Sequence, residues 1–249
     1  MNVINIMDGY TKWDELCPFI KKELGLDYSH RGVHPDHNGL SVNGRLPYSI
    51  SESEFNFIKD YIIKHDLKRG FDLATGTGIS AIAAGWALKQ TGGKLLSIDS
   101  YMEEKTQGQS HEPIPGQERP TLGNDAPYEN NKNLMTLFGL ENVYLEMGIA
   151  PNDCISYIEK HQITPIDFAF LDCPKDGEQF IRDASYIREY LNHDKFAIFW
   201  HDTHNFMEEF RNLSMEFFNV ESIQITDFTF LGETVQQKYP LSLITNIIK

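Results

Sequence analysis

Short apolar runs alternate with stretches of helical periodicity from about residue 50 to the end of the chain. Apolar positions three and four apart mark one face of a helix, and compact apolar runs bounded by turn residues mark buried strands. After Ser51-Glu-Ser-Glu54, which has capping-box spacing, the positions Phe55, Ile58, Tyr61 and Ile62 predict a helix. Phe71-Asp-Leu-Ala74 predicts a first strand, Thr75-Gly-Thr-Gly78 a turn, and residues 79–89 a second helix. Lys94-Leu-Leu-Ser-Ile98 predicts a second strand ending at Asp99. Further strands are expected at 143–146, 166–171, 196–200, 223–226 and 241–248, with helices around 131–138, 153–160, 177–191 and 205–217. Such alternation builds a parallel sheet covered on both faces. The Gly232–Pro240 stretch reads as a hairpin connection, so the last two strands are expected to pair antiparallel.

Two regions break the pattern. From Tyr101 to about residue 130 periodicity gives way to Gly, Pro, Gln and Glu, and a loop of that length in a compact domain reads as a lid or a disordered segment. Residues 1–50, rich in His, Gly, Asn and Pro, read as a helical arm or cap before the main domain at 51–249. His30, His34 and His37 lie there at spacings of four and three, but Pro35 interrupts any continuous helix, so a surface loop is the simpler reading.

Composition narrows the function. The 249 residues carry 22 Lys and Arg against 36 Asp and Glu, a formal net charge of −14. An acidic surface with no dense basic run argues against a nucleic-acid partner and against an anionic membrane. No apolar run approaches the roughly 18 residues of a membrane span. Three widely spaced cysteines suit a reducing compartment, and the first fifteen residues lack the basic-then-apolar order of a secretory signal. A cytoplasmic protein with a small-molecule substrate is expected. The arm is expected either to line the substrate pocket or to build a contact in a homo-oligomer.

The chemistry concentrates at strand ends. In Asp72-Leu-Ala74-Thr75-Gly76-Thr-Gly78 the glycines let a ligand approach the backbone, and the following helix offers its N-terminal N–H groups. Asp99, about twenty residues on at the second strand's end, suits a pair of ribose hydroxyls, so a nucleoside ligand is expected. There is no Gly-Lys-Ser/Thr as a phosphate loop requires. Ala81, three residues after Gly78, keeps a dinucleotide fingerprint open, and with it an NAD-dependent oxidoreductase. Asp72 favours a ligand with a cationic amine, such as a methionine moiety, over a pyrophosphate that it would repel. Trp86 and Trp200 read as core.

On these residues the chain resembles the class I S-adenosylmethionine-dependent methyltransferases. The run Asp72 to Gly78 is similar to their first motif, acid-x-Gly-x-Gly-x-Gly, with Ala74 in place of the first glycine, and Asp99 matches their ribose-binding acid. The resemblance covers about residues 50–249. It implies a doubly wound, Rossmann-like, mostly parallel seven-stranded sheet with a C-terminal antiparallel hairpin. It implies a cofactor site of Asp72, Ala74, Thr75, Gly76, Gly78, Asp99, Ser100, Tyr101, Gly148, Ile149 and Asp172, with Tyr101 stacking near the adenosine. Met147-Gly148-Ile149-Ala150 stands where many members carry Gly-Asp-Ala. Ile149 is therefore expected to pack on the adenine while backbone groups read its edge.

Ile166-Asp-Phe-Ala-Phe-Leu-Asp172, followed by Phe196-Ala-Ile-Phe-Trp-His201-Asp202, resembles the metal-dependent small-molecule O-methyltransferases of the macrocin and novobiocin type. That resemblance implies Mg²⁺ held by Asp172 and Asp202, with Thr203 at the position of a third ligand. The family's usual His falls on Lys175. Lys175 or His204 is expected to take the acceptor's proton, with Asp202 part of the catalytic set, and His201 to orient or pack. Three rivals stay open: a metal-free N- or O-methyltransferase with a His or Lys base, the oxidoreductase above, and a cofactor sensor without turnover.

Overall fold

The computed structural model describes residues 50, 52–76, 78–99, 127–172, 177–201, 203, 207–220, 222–226, 229–230, 237–238 and 241–247. The N-terminal arm with its three histidines, most of the expected lid, and Ser100, Tyr101, Lys175, Asp202 and His204 lie outside the described residues.

The chain order is α1 (Glu52–Lys64), β1 (Arg69–Leu73), α2 (Ile79–Gln90), β2 (Lys94–Asp99), α3 (Pro127–Leu137), β3 (Val143–Met147), α4 (Asn152–Lys160), β4 (Phe168–Leu171), α5 (Gly177–Tyr190), β5 (Ala197–Trp200), α6 (Met207–Phe218), β6 (Ser222–Thr226), β7 (Thr229–Phe230), β8 (Gln237–Lys238) and β9 (Leu241–Thr245). The main sheet runs β3-β2-β1-β4-β5-β9-β6. Strands β3, β2, β1, β4 and β5 are parallel, and β9 is antiparallel to both β5 and β6. Sequential strands β1, β2 and β3 step to one side and β4 and β5 to the other, so the order reverses between β1 and β4. That reversal opens a crevice at the carboxyl ends of the strands, where ligands of such sheets bind.

Alternation along each strand builds two cores. Phe168, Phe170, Ala197, Phe199 and Leu95 pack with Ile58, Ile62, Ile82 and Leu134 of α1, α2 and α3. Phe71, Leu73, Leu96, Ile98, Ala169, Leu171, Ile198 and Trp200 pack with Ile158, Phe180 and Phe210 of α4, α5 and α6. Each fully buried Phe or Ile contributes about 1.5–3 kcal/mol of transfer free energy, so both helical layers are held firmly on the sheet. The same parity turns Asp72, Ser97, Asp99, Asp172 and His201 toward the α1–α2–α3 face, because each is one or three positions from a residue of the opposite core.

Some boundaries differ from expectation. Helix α3 begins at Pro127, so the expected lid cannot extend to residue 130. Strand β4 begins at Phe168, and Ile166 forms only an isolated bridge with Leu191. The connection before the last strand is itself a small antiparallel pair, β7 with β8. Trp200 is wholly buried and Trp86 packs against the α1–α2 core. No helix among the described residues is long and apolar enough to cross a membrane.

Candidate functional site

The sheet ladder extends past the strand ends and fixes the tips. Ala74 N–H donates to Ile98 O at 2.9 Å, Asp172 N–H to Leu73 O at 3.1 Å, His201 N–H to Leu171 O at 2.9 Å, and Gly148 N–H to Asp99 O at 3.0 Å. Ala74, Asp99, Gly148, Asp172 and His201 therefore stand side by side along one edge. The turn after β1 closes with Gly78 N–H donating to Thr75 O at 2.7 Å. Ala74, Gly76 and Gly78 have φ of +72°, +52° and +82°. Two of these three left-handed positions carry glycine, which adopts them freely, and Ala74 adopts one at a cost. No side chain caps α2 at Gly78.

Asp99 anchors the turn to β2: its Oδ2 accepts the N–H of Gly76 at 2.8 Å. From above, Asn131 of α3 donates through Nδ2 to Gly76 O at 3.0 Å. Gly76 itself is exposed. Beyond Asp99, Met147 and Ile149 leave about half of their surface uncovered, apolar area beside a polar rim. The N–H of Ile149 donates to Asp153 Oδ2 at 2.8 Å, and that of Gly148 is spent on Asp99 O. Neither N–H is thus left for a base edge, and the carbonyl groups are the backbone groups that remain for it.

Asp72 also departs from expectation. Its side chain is wholly buried, and its Oδ2 accepts from Ser97 Oγ at 2.5 Å, with Ser97 in turn paired to Thr75 Oγ1 at 2.6 Å. That burial leaves no open face for direct contact with a ligand's amine, the direct half of an expectation that also allowed a bridging water; the side chain lies beneath the turn, joined to it through Ser97 and Thr75. Burial pushes its carboxyl up to about 7 against the hydrogen bonds of Ser97 and Ser80, and the charges of Asp172 and Asp99 push the same way.

Across β1, Asp172 follows β4 with its side chain a little over one-quarter exposed. Its Oδ1 lies 3.3 Å from His201 Nδ1. The other ring nitrogen of His201 lies 3.4 Å from Glu54 Oε1, within ion-pair reach though off hydrogen-bond alignment. His201 and Glu54 are both buried. Burial opposes charge on this imidazole, but Asp172 and then Glu54 outweigh it and raise the ring to about 10.

The turn, Asp99, Asp172 and His201, singled out from the sequence, lie along this one edge, and Glu54, Ser97 and Asn131, which the sequence reading did not place at the site, contact them. Glu54 carried a signal: four residues before Ile58 and eight before Ile62, it is a carboxylate on an otherwise apolar helix face. Thr203, expected as a metal ligand, is wholly buried, and its hydroxyl pairs with Ser242 Oγ at 2.6 Å, which removes it from the rim. Among the described residues no group of three or more His, Cys, Asp or Glu is arranged to hold a metal ion. A separate hollow of about 460 Å³, lined by Ser185, Arg188, Glu189, His193 and Phe217, contains none of the predicted residues.

No family model and no curated protein matches the sequence. Solved structures do match the fold. An O-methyltransferase from Bacillus cereus in complex with S-adenosylhomocysteine superposes with a TM-score of 0.59 at 12% identity, over 91% of this chain and 90% of that one. The O-methyltransferase TomG of Streptomyces achromogenes, involved in tomaymycin synthesis and in complex with S-adenosylmethionine, gives 0.59 at 13% identity, over 94% and 89%. An S-adenosylmethionine-dependent O-methyltransferase from Thermotoga maritima gives 0.52 at 13% identity, over 83% and 69%. The chain thus has the fold of the class I O-methyltransferases.

Proposed function

We propose that this protein transfers a methyl group from S-adenosylmethionine to an oxygen of a small hydroxylated acceptor such as a sugar, glycoside or phenol. The supporting observation is the Asp99–Gly76 hydrogen bond, which joins the ribose-type acid to an exposed glycine turn. Apolar Met147 and Ile149 lie on one side of it and Asp172 on the other. The donor, when bound, supplies a methyl already activated on a sulfonium.

The protein's part is alignment and proton removal. Asp99 holds the ribose hydroxyls, Ile149 covers the base, the turn at Ala74–Gly78 receives the amino-acid portion, and Asp172 faces its ammonium. The acceptor oxygen is brought in line behind the methyl carbon, so that the C–O bond forms as the S–C bond breaks. Lys175 or His204 takes the hydroxyl proton, and S-adenosylhomocysteine leaves. Asp172, which follows β4, and Asp202, the second residue after β5 in the sequence, are the residues to hold Mg²⁺, a hard cation suited to carboxylates that would lower the acceptor's pKa. Thr203 has no place in that set. A reducing, cytoplasmic setting is part of the same reading and accords with the free, buried Cys154.

Calorimetry and thermal shift with S-adenosylhomocysteine and with NADH test the reading. Heat and a raised melting point are expected with the first alone. Binding of NADH with none of S-adenosylhomocysteine would assign the site to hydride chemistry instead.

A further inference from the structure

Glu54 is one of the few almost wholly buried carboxylates among the described residues outside the strand tips. It sits on α1 with 1% of its surface exposed, among Phe55, Ile58 and Ile62 on the face packed against the sheet. A carboxylate taken out of water carries a large desolvation penalty unless partners offset it. A Gln or an apolar residue would fill this position without that cost, so the charge has a use. Among its neighbours is His201, whose imidazole lies between Glu54 Oε1 at 3.4 Å and Asp172 Oδ1 at 3.3 Å. The imidazole's opposite edges thus link a helix of the outer layer to a carboxylate at the crevice. His201 itself has little freedom: its N–H is tied to Leu171 O and its ring lies beside Phe170.

The order of strands fixes which part of a ligand this chain would serve. Met147, Ile149 and Asp99 occupy the tips of β3 and β2, and Asp172 follows β4, on the far side of β1. Neighbouring strands lie about 4.8 Å apart, so Asp172 is about 10 Å from the ribose acid. That span matches the reach from a ribose to the amino-acid end of an adenosyl amino acid.

We propose that Glu54 is a positioning residue that orients His201, and through it Asp172, so as to set affinity for the amino-acid end of the adenosyl ligand. This rests on the reading under Proposed function. A purely structural ion pair would weaken every ligand of the site alike when broken, whereas a positioning role discriminates between them.

The test compares S-adenosylhomocysteine with 5′-methylthioadenosine, which has the nucleoside and sulfur but no amino-acid group. In Glu54→Gln, Kd for S-adenosylhomocysteine is expected to rise about tenfold, with Kd for methylthioadenosine within about twofold of wild type. In the Asp172→Asn background, Glu54→Gln is expected to add nothing, since the group it acts on has gone. Equal weakening of both ligands, or unchanged binding of both, overturns the proposal. Should Glu54→Gln fail to fold, Glu54→Asp, which keeps the charge but withdraws it by one methylene, is judged by the same two affinities. Failure of the wild-type protein to bind either ligand refutes the methyltransfer reading itself and is distinct from both outcomes.

Discussion

Ser97 Oγ donates to Asp72 Oδ2 at 2.5 Å, and this bond between neighbouring strands is the floor of the glycine turn. Asp72 is wholly buried, and burial pushes its carboxyl up to about 7 against the hydrogen bonds of Ser97 and Ser80. An unfolded aspartate loses its proton near pH 4. Between about pH 4 and 7 the unfolded chain ionises while the folded one holds its proton, so Asp72 withdraws stability as the pH rises through that window and restores it below. Asp72→Asn removes the titration and keeps an acceptor for Ser97. The stability difference between variant and wild type should move in the variant's favour by about 3 kcal/mol from pH 4 to pH 8. Urea midpoints at the two pH values measure it, and parallel pH profiles for the two proteins would show that Asp72 stays ionised.

Ala74 carries a different kind of cost. With φ at +72° it holds a conformation that disfavours any residue with a Cβ by roughly 1–2 kcal/mol. Replacing it with glycine relieves that strain but adds freedom to the unfolded chain, so Ala74→Gly should stabilise by about 0.5–1 kcal/mol. Ala74→Val should destabilise by about 2 kcal/mol, because a branched Cβ fits this region worst. Denaturant midpoints of the pair decide it, and a destabilised glycine variant contradicts the strain argument.

These two residues show where sequence reading succeeded and where it stopped. Asp72 was placed correctly in the first strand, and Ala74, expected as that strand's last residue, instead opens the turn one residue past its end, since a short apolar run and a glycine turn are local signals with loose boundaries. That Asp72 faces the core rather than a ligand depends on Ser97 and Thr75, and no periodicity along one segment reports a partner twenty-five residues away. The alternation of Phe168 with Ala169, and of Phe199 with Trp200, was legible as strand. With the strand order it also dictates that Asp172 and His201 share the face of α1. Glu54 went unrecognised as part of the site because its spacing from Ser51 satisfied a capping box, a local explanation that concealed a long-range one. Thr203 was misassigned for a similar reason, as position in a motif says nothing of the hydroxyl on β9 that claims it.

Asn131 links α3 to the turn, and its loss should be felt at the ligand. Its amide donates to Gly76 O, and a Cβ placed on Gly78 would lie 2.8 Å from Asn131 Oδ1. Asn131→Ala should cost about 1 kcal/mol of stability and weaken S-adenosylhomocysteine, because the turn loses its outer restraint. Gly78→Ala should cost more, since a left-handed φ of +82° is added to the crowding of Asn131. Calorimetry on both variants tests this, and full affinity in Asn131→Ala would mean that Asp99 alone holds the turn.

The metal arm of the proposal makes the sharpest demand on Asp172. This carboxylate already faces His201, whose ring is held protonated to about 10, so a divalent cation must compete with an imidazolium for its oxygens. On the proposed reading Asp202 joins Asp172 in holding the cation, and a hard divalent ion gains more from two anionic oxygens than a monovalent group does. Removing Asp202 should therefore tip the balance: Mn²⁺ binding, followed by electron paramagnetic resonance, is expected to fall at least tenfold in Asp202→Ala, with S-adenosylhomocysteine affinity nearly unchanged. Replacing His201 with Gln removes the competing cation and should leave Mn²⁺ binding equal or tighter. If methyl transfer proceeds fully in EDTA and survives Asp202→Ala, no metal takes part, and the acceptor's proton passes to Lys175 or His204 unaided.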